Sequence, residues 1–184
     1  FELIYNNFFI IISGLDETLK LVVISLSLGF VIAIPFALAR VSSIKILSQS
    51  VYYYVFIIRG TPLLVQIYLI YYGLGTIQFV RESFLWIVLK EPFFCGVLAL
   101  VINTIAYTTE IFRGGIQSIT RGQIESCKSL GMNRFIMYSK IILPCAFRQA
   151  LPGYGNEMIL MVKSTSLISL ITIMEMTGIA RNIM

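Results

Sequence analysis

The chain has 184 residues, of which 58% are hydrophobic and only 12% charged; an ordinary soluble domain carries about twice that charged fraction, so a soluble protein is excluded. No histidine is present, which rules out a His-based triad, a His-ligated metal site and a His proton relay. Basic side chains outnumber acidic ones, 14 to 9, for a net charge of +5, and their placement along the chain bears on orientation.

A helical crossing of a bilayer needs roughly 20 apolar residues, so about four or five crossings fit this length. Leu21 to Ala39 is free of charge and forms the core of a first crossing, placed at about 18–39, with Gly29 and Pro35 tolerated as membrane helices allow. Arg40 ends it. The following segment carries Arg40, Lys45 and Arg59 without an acid, and its apolar middle, Ile46 to Ile58, is too short to span, so a membrane-surface position is expected. Thr61-Pro62 opens the next helix, and Leu63 to Val80 is again uncharged, giving a second crossing at 62–80. A short charge-balanced turn, Arg81 to Glu91, leads from it to a third crossing at 92–112. Residues 113–148 form the one extended polar stretch. A fourth crossing is expected at 149–170, interrupted by Glu157 and Lys163 and followed by a re-entrant or surface helix.

Alternating the sides puts the segments after the first and third crossings in one compartment. The polar stretch alone holds Arg113, Arg121, Lys128, Arg134, Lys140 and Arg148 against the single acid Glu125. The positive-inside rule assigns that side to the cytoplasm and the N-terminus, with Glu2, Asp16 and Glu17, to the outside. Cys95, Cys127 and Cys145 are widely spaced, form no C-x-x-C pair and read as structural. No internal repeat and no P-loop G-x-x-x-x-G-K-[ST] occurs.

Within the polar stretch, Thr120 and Gln123 fit a capping box, Lys128 sits where a cation favours the helix dipole, and Gly131 suits a left-handed stop. This predicts a short autonomous helix with Ile124, Cys127 and Leu130 on one side and Glu125, Ser126 and Lys128 left polar. A second short helix is expected from Asn133 toward Pro144. Physics alone permits a plain solvated loop helix.

The spacing Glu125-Ser126-Cys127, three residues, Gly131, nine residues, Ile141, one residue, Leu143-Pro144 resembles the E-A-A-x3-G-x9-I-x-L-P signature of inner-membrane permease subunits of ABC importers. Arg59-Gly-Thr-Pro-Leu-Leu-Val-Gln66, Ala106 to Ile116 and Lys163-Ser-Thr-Ser-Leu167 resemble the polar amino acid branch, in particular its M-type permeases for arginine and for histidine, lysine and arginine. Ser126 and Cys127 replace two alanines, all of them small. The resemblance implies an all-α, polytopic type I importer permease fold with about five transmembrane helices, the last lying beyond Met184, so that this stretch is a fragment. It also implies that the capped helix docks on a cytoplasmic ATPase dimer through Glu125 and Gly131, with Gln123, Ser126, Cys127 and Lys128 beside them. Further implied partners are a second permease chain (a second copy or a similar one), an extracytoplasmic binding protein and the surrounding lipid, with no nucleic acid. The chain binds no cofactor in this reading, ATP belonging to the partner.

A charge in mid-membrane costs about 2.5 to 3.5 kcal/mol on insertion scales, so Glu157 marks a lumen or a partner. Asn103, Thr104 and Tyr107 are expected on one face of the third crossing, either lining a polar path with Glu157 or joining helices by hydrogen bonds. Tyr52, Tyr53, Tyr54, Tyr71 and Tyr72 read as interfacial belts and Lys163 as a snorkelling side chain. The expected function is an inner-membrane transport subunit for polar, in particular basic, amino acids. Two other classes stand beside it: a non-conducting scaffold that docks a partner through 120–131, and an intramembrane enzyme. The enzyme lacks the parts, since the one aspartate is Asp16 and Lys163 has only neighbouring serines to act with.

Overall fold

A computed structural model describes residues 7–171 and 173–183; Glu2, part of the acidic start, lies outside them. Among the described residues every regular element is helical. In chain order these are α1 (Phe8–Ser13), α2 (Leu15–Arg40), α3 (Lys45–Gly60), α4 (Leu63–Tyr68), α5 (Gln78–Glu82), α6 (Trp86–Leu89), α7 (Pro92–Gln117), α8 (Arg121–Ser129), α9 (Arg134–Met137), α10 (Leu143–Ser164) and α11 (Met176–Ile183). A π-helical turn, Leu69–Gly73, and a 3-10 turn, Leu74–Thr76, continue α4; a second π turn, Tyr138–Ile142, precedes α10, and a 3-10 run, Thr165–Ile171, follows it.

Helix α7 is the axis of the fold, packed between α2, α10 and α3. Lipid is as apolar as a protein interior, so helix contacts in a membrane depend on close backbone approach through small residues. Gly29 and Gly115 make that approach at α7. A Cβ on Gly29 of α2 would stand 2.5 Å from Thr104 Cγ2 of α7, and one on Gly115 of α7 would stand 2.5 Å from the Ala146 carbonyl oxygen of α10. On the third side Val51 and Val55, one helical turn apart on α3, are buried against Ala106.

Among the described residues two helical stretches, Phe8–Arg40 and Pro92–Gln117, are long and apolar enough to cross a membrane, and up to four spans result if each of two bent pairs counts as one. The segment expected at the surface is α3, and it bends by 102° into Leu63–Thr76. The stretch 62–80 is therefore not one straight helix: it leaves α geometry at Leu69, and Ile77 is extended before α5 begins. Thr61 before Pro62 is extended, at φ −112° and ψ 141°, as a residue preceding proline prefers, and this opens the bend. The polar stretch 113–148 is shared between elements, since α7 runs on to Gln117 and α10 already starts at Leu143. Of the tyrosines expected in belts, Tyr54 and Tyr71 are half-buried against the core, and the Tyr54 hydroxyl donates to the Ile102 carbonyl oxygen at 2.7 Å, tying α3 to α7. Lys163 is exposed, and all three cysteines are free thiols, two of them buried.

Candidate functional site

The bend after α3 is held by one side chain. Gln66 Nε2 donates to the Ile58 carbonyl oxygen at 2.7 Å, to the Thr61 carbonyl oxygen at 3.1 Å and to Thr61 Oγ1 at 2.9 Å, closing the corner from inside. Asn103 Nδ2 of α7 donates in turn to Gln66 Oε1 at 3.3 Å, so the corner is pinned to the central helix. Buried amides need such partners in a medium without water.

A cavity of about 390 Å³ opens beside this corner, lined among others by Arg59, Thr61, Asn103, Tyr107, Glu157 and Ser164. Asn103 and Tyr107 are four apart on α7 and share a face, as expected. Glu157 enters from α10 and is 6% exposed. Thr104 is not part of this group. It is fully buried on a different face of α7, against Gly29 of α2, and its hydroxyl has no partner among the described residues. One residue step turns an α-helix by about 100°, so the neighbour of a cavity-facing Asn103 points at a different helix.

Arg59 joins the site, although the sequence reading gave it no site role, placing it among the surface charges and at the head of the Arg59–Gln66 stretch of family resemblance. Its guanidinium carbon lies 4.9 Å from the Tyr107 ring centroid, a cation–π distance. The signal available in the sequence was a lone cation closing an apolar run directly before Gly60-Thr61-Pro62; in the structure its side chain is exposed beside the cavity. Arg59, Gly60 and Tyr107 also line an adjoining cavity of about 310 Å³ that reaches Glu110. Glu110 is already engaged. Its Oε2 accepts from Arg113 Nε at 2.7 Å, and its Oε1 lies 3.7 Å from Arg40 Nε.

At the opposite pole, α8 carries the predicted capping box in full. Thr120 Oγ1 accepts from the Gln123 amide at 3.4 Å, and Gln123 Oε1 accepts from the Thr120 amide at 3.2 Å. The helix ends on Gly131 at φ +71°, with Gly131 N–H donating to Lys128 O at 2.9 Å and Met132 N–H to Cys127 O at 3.2 Å, the paired bonds of a Schellman stop. Cys127 is buried with Met137 and Ile142, and Ile124 packs against them. Gln123, Glu125, Ser126, Lys128 and Gly131 are exposed. Leu130, expected inward with Ile124 and Cys127, is instead 75% exposed, because it sits at the C-cap where the chain reverses and no longer follows the helical face.

The sequence matches, over residues 21–184, the family described as the inner membrane component of binding-protein-dependent transport systems. The chain belongs to that family. Among relatives of this permease, the nopaline transport system permease protein NocM of Agrobacterium fabrum is 51% identical over 99% of this chain and 76% of its own length. The arginine permease ArtM of Haemophilus influenzae is 43% identical over 95% of this chain and 76% of its own. The histidine/lysine/arginine/ornithine permease HisM of Escherichia coli is 44% identical, covering 93% and 72%. A crystal structure of an amino acid ABC transporter with histidines superposes with a TM-score of 0.85 at 39% identity, over 98% of this permease and 80% of that chain. The permease is thus an all-helical type I importer subunit of the amino acid branch, a transport subunit rather than an enzyme.

Proposed function

We propose that this permease moves polar, in particular basic, amino acids inward as one transmembrane subunit of an ATP-driven importer. The observation that carries the reading is a carboxylate, Glu157, aimed from an apolar helix into a cavity it shares with Asn103 and Tyr107. A charge in such surroundings is retained where it meets a counter-charge, and the ammonium or side-chain cation of an amino acid supplies one. The names of the nopaline, arginine and histidine/lysine/arginine/ornithine relatives support the same substrate class. In this reading ATP is hydrolysed by a separate cytoplasmic ATPase dimer, substrate arrives on an extracytoplasmic binding protein, and a second permease chain completes the pathway. The N-terminus faces outside and 113–148 faces the cytoplasm, following the distribution of basic residues.

Helix α8 is the docking element for the ATPase. Glu125 has no hydrogen-bond or ion-pair partner among the described residues, and exposed Leu130 and Phe135 give apolar contact beside it. Gln123, Ser126, Cys127, Lys128 and Gly131 hold the helix and its reversal in place. The test is uptake of radiolabelled arginine, lysine, histidine and glutamine into proteoliposomes containing the full complex. ATP-dependent uptake of the basic amino acids supports the proposal, and a complex that assembles but moves none of them is the scaffold of the rival reading.

A further inference from the structure

Ile34, Ala37, Leu38 and Val41 fall at helical spacing along one face of the α2 end, and two cavities follow one another down that face. The first, of about 320 Å³, is apolar: Ile34, Ala37 and Leu38 line it from α2, Phe112 from α7, and Leu143 and Phe147 from α10. The second, of about 420 Å³, begins at Val41, one turn further on, and is lined among others by Ser43, Lys128, Arg134 and Tyr138. The π turn Tyr138–Ile142 borders both, with Ser139 on the apolar cavity and Tyr138 and Ile142 on the basic one. Among the described residues no acid lines either cavity. Nor do the Lys128 ammonium, the Arg134 guanidinium or the Ser43 and Tyr138 hydroxyls have a hydrogen-bond or ion-pair partner there. Two unpaired cations and two free hydroxyls around one cavity suit a phosphate. A free phosphate would fill only the basic cavity, whereas a molecule that joins a phosphate to a hydrocarbon chain matches both. The depth agrees: Arg40 closes the uncharged run Leu21 to Ala39, so the basic cavity stands where a crossing meets the headgroups and the apolar one where acyl chains run.

We propose that this groove binds an anionic phospholipid of the cytoplasmic leaflet, with its phosphate on Lys128 and Arg134 and one acyl chain along Ile34, Leu38 and Phe147. The inference rests on the orientation proposed above and goes beyond it. Basic pockets among helices on the cytoplasmic side are where anionic headgroups are held. Lys128 belongs to α8 and Arg134 to α9, so the lipid ties the docking loop to the end of α2.

The test is photo-cross-linking in the full permease–ATPase complex, reconstituted in phosphatidylcholine nanodiscs with a trace of phosphatidylglycerol or phosphatidylcholine that carries a diazirine in one acyl chain. Mass spectrometry locates the adducts. Peptides holding 34–41 and 139–147 should be labelled, with phosphatidylglycerol favoured by about fivefold for each cation, the scale of one basic side chain at an anionic surface. Arg134→Gln should lower the phosphatidylglycerol yield by about that factor and leave the phosphatidylcholine yield unchanged, while Arg134→Lys, which keeps the charge, should retain most of it. Ser139→Trp, at the exposed rim of the apolar cavity, should lower labelling by both lipids. Equal yields from the two lipids in the wild-type complex mean ordinary annular lipid and overturn the proposal. So does full displacement by inorganic phosphate, which marks an ion site, or a groove that neither lipid labels, which is covered by another chain. A yield ratio unchanged in a folded Arg134→Gln complex overturns it as well. Both leaflets of these nanodiscs hold the same lipids, so a reversed orientation of the chain alters none of these outcomes, and the transport reading stands or falls separately, on uptake.

Discussion

Asn103 on α7 and Gln66 beyond the bend are joined by an Nδ2–Oε1 hydrogen bond of 3.3 Å, although they stand 37 positions apart. Through it the corner bearing Arg59 is registered against the helix bearing Tyr107. Gln66→Leu should free the Ile58 and Thr61 carbonyl oxygens and orphan the Asn103 amide, at about 1–3 kcal/mol for a buried polar group left unsatisfied. The apparent melting temperature of the purified complex should fall. Asn103→Leu in the same background should add less than it does alone, and strict additivity would show that the two side chains are not coupled.

Among the described residues nothing lies within 4 Å of the position a Cβ on Gly131 would take, so space does not restrict it; its φ of +71° does. Gly131→Val is expected to strain the stop after α8 by about 1–3 kcal/mol, while Gly131→Asn should be tolerated. Co-purification of the ATPase and uptake should both drop for the valine variant with the helical circular dichroism signal preserved. Normal uptake by Gly131→Val would sink the docking assignment of this loop.

Glu157→Gln keeps the volume and removes the charge. Transport and substrate-stimulated ATPase should fall by the equivalent of about 1.5–3 kcal/mol, the scale of a hydrogen bond to a charged group, with assembly preserved. Should the variant instead lose thermal stability and keep its substrate preference, Glu157 is a structural group and does not belong to the pathway.

The α2–α7 contact gives a packing prediction. Gly29→Ala places a Cβ 2.5 Å from Thr104 Cγ2 and 2.8 Å from Thr104 Cβ, and overpacking of this kind costs typically about 1–3 kcal/mol. Thr104→Ala removes the nearer atom together with a buried hydroxyl that has no partner among the described residues. The double variant should recover part of the lost melting temperature. No recovery would mean that these two positions do not meet as described.

What the sequence by itself determined is local. The capping box at Thr120 and Gln123, the stop at Gly131 and the apolar runs that become α2 and α7 depend on residues within a few positions of one another, so spacing alone reveals them. Family membership was legible for the same reason, because its signature lies in one contiguous stretch from Glu125 to Pro144. The structure alone decided which faces meet. Asn103 and Thr104 are adjacent and both polar, and only the position of α2 sends Thr104 to Gly29 while Asn103 reaches Gln66. Tyr54 could not be told from its neighbours Tyr52 and Tyr53 until α7 offered it the Ile102 carbonyl. The bend after α3 and the meeting of Arg59 with Tyr107 and Glu157 join three helices distant in the chain. In a membrane chain hydrophobic periodicity does not separate the buried side from the lipid side, because both are apolar, and so helix orientation is settled by tertiary contacts.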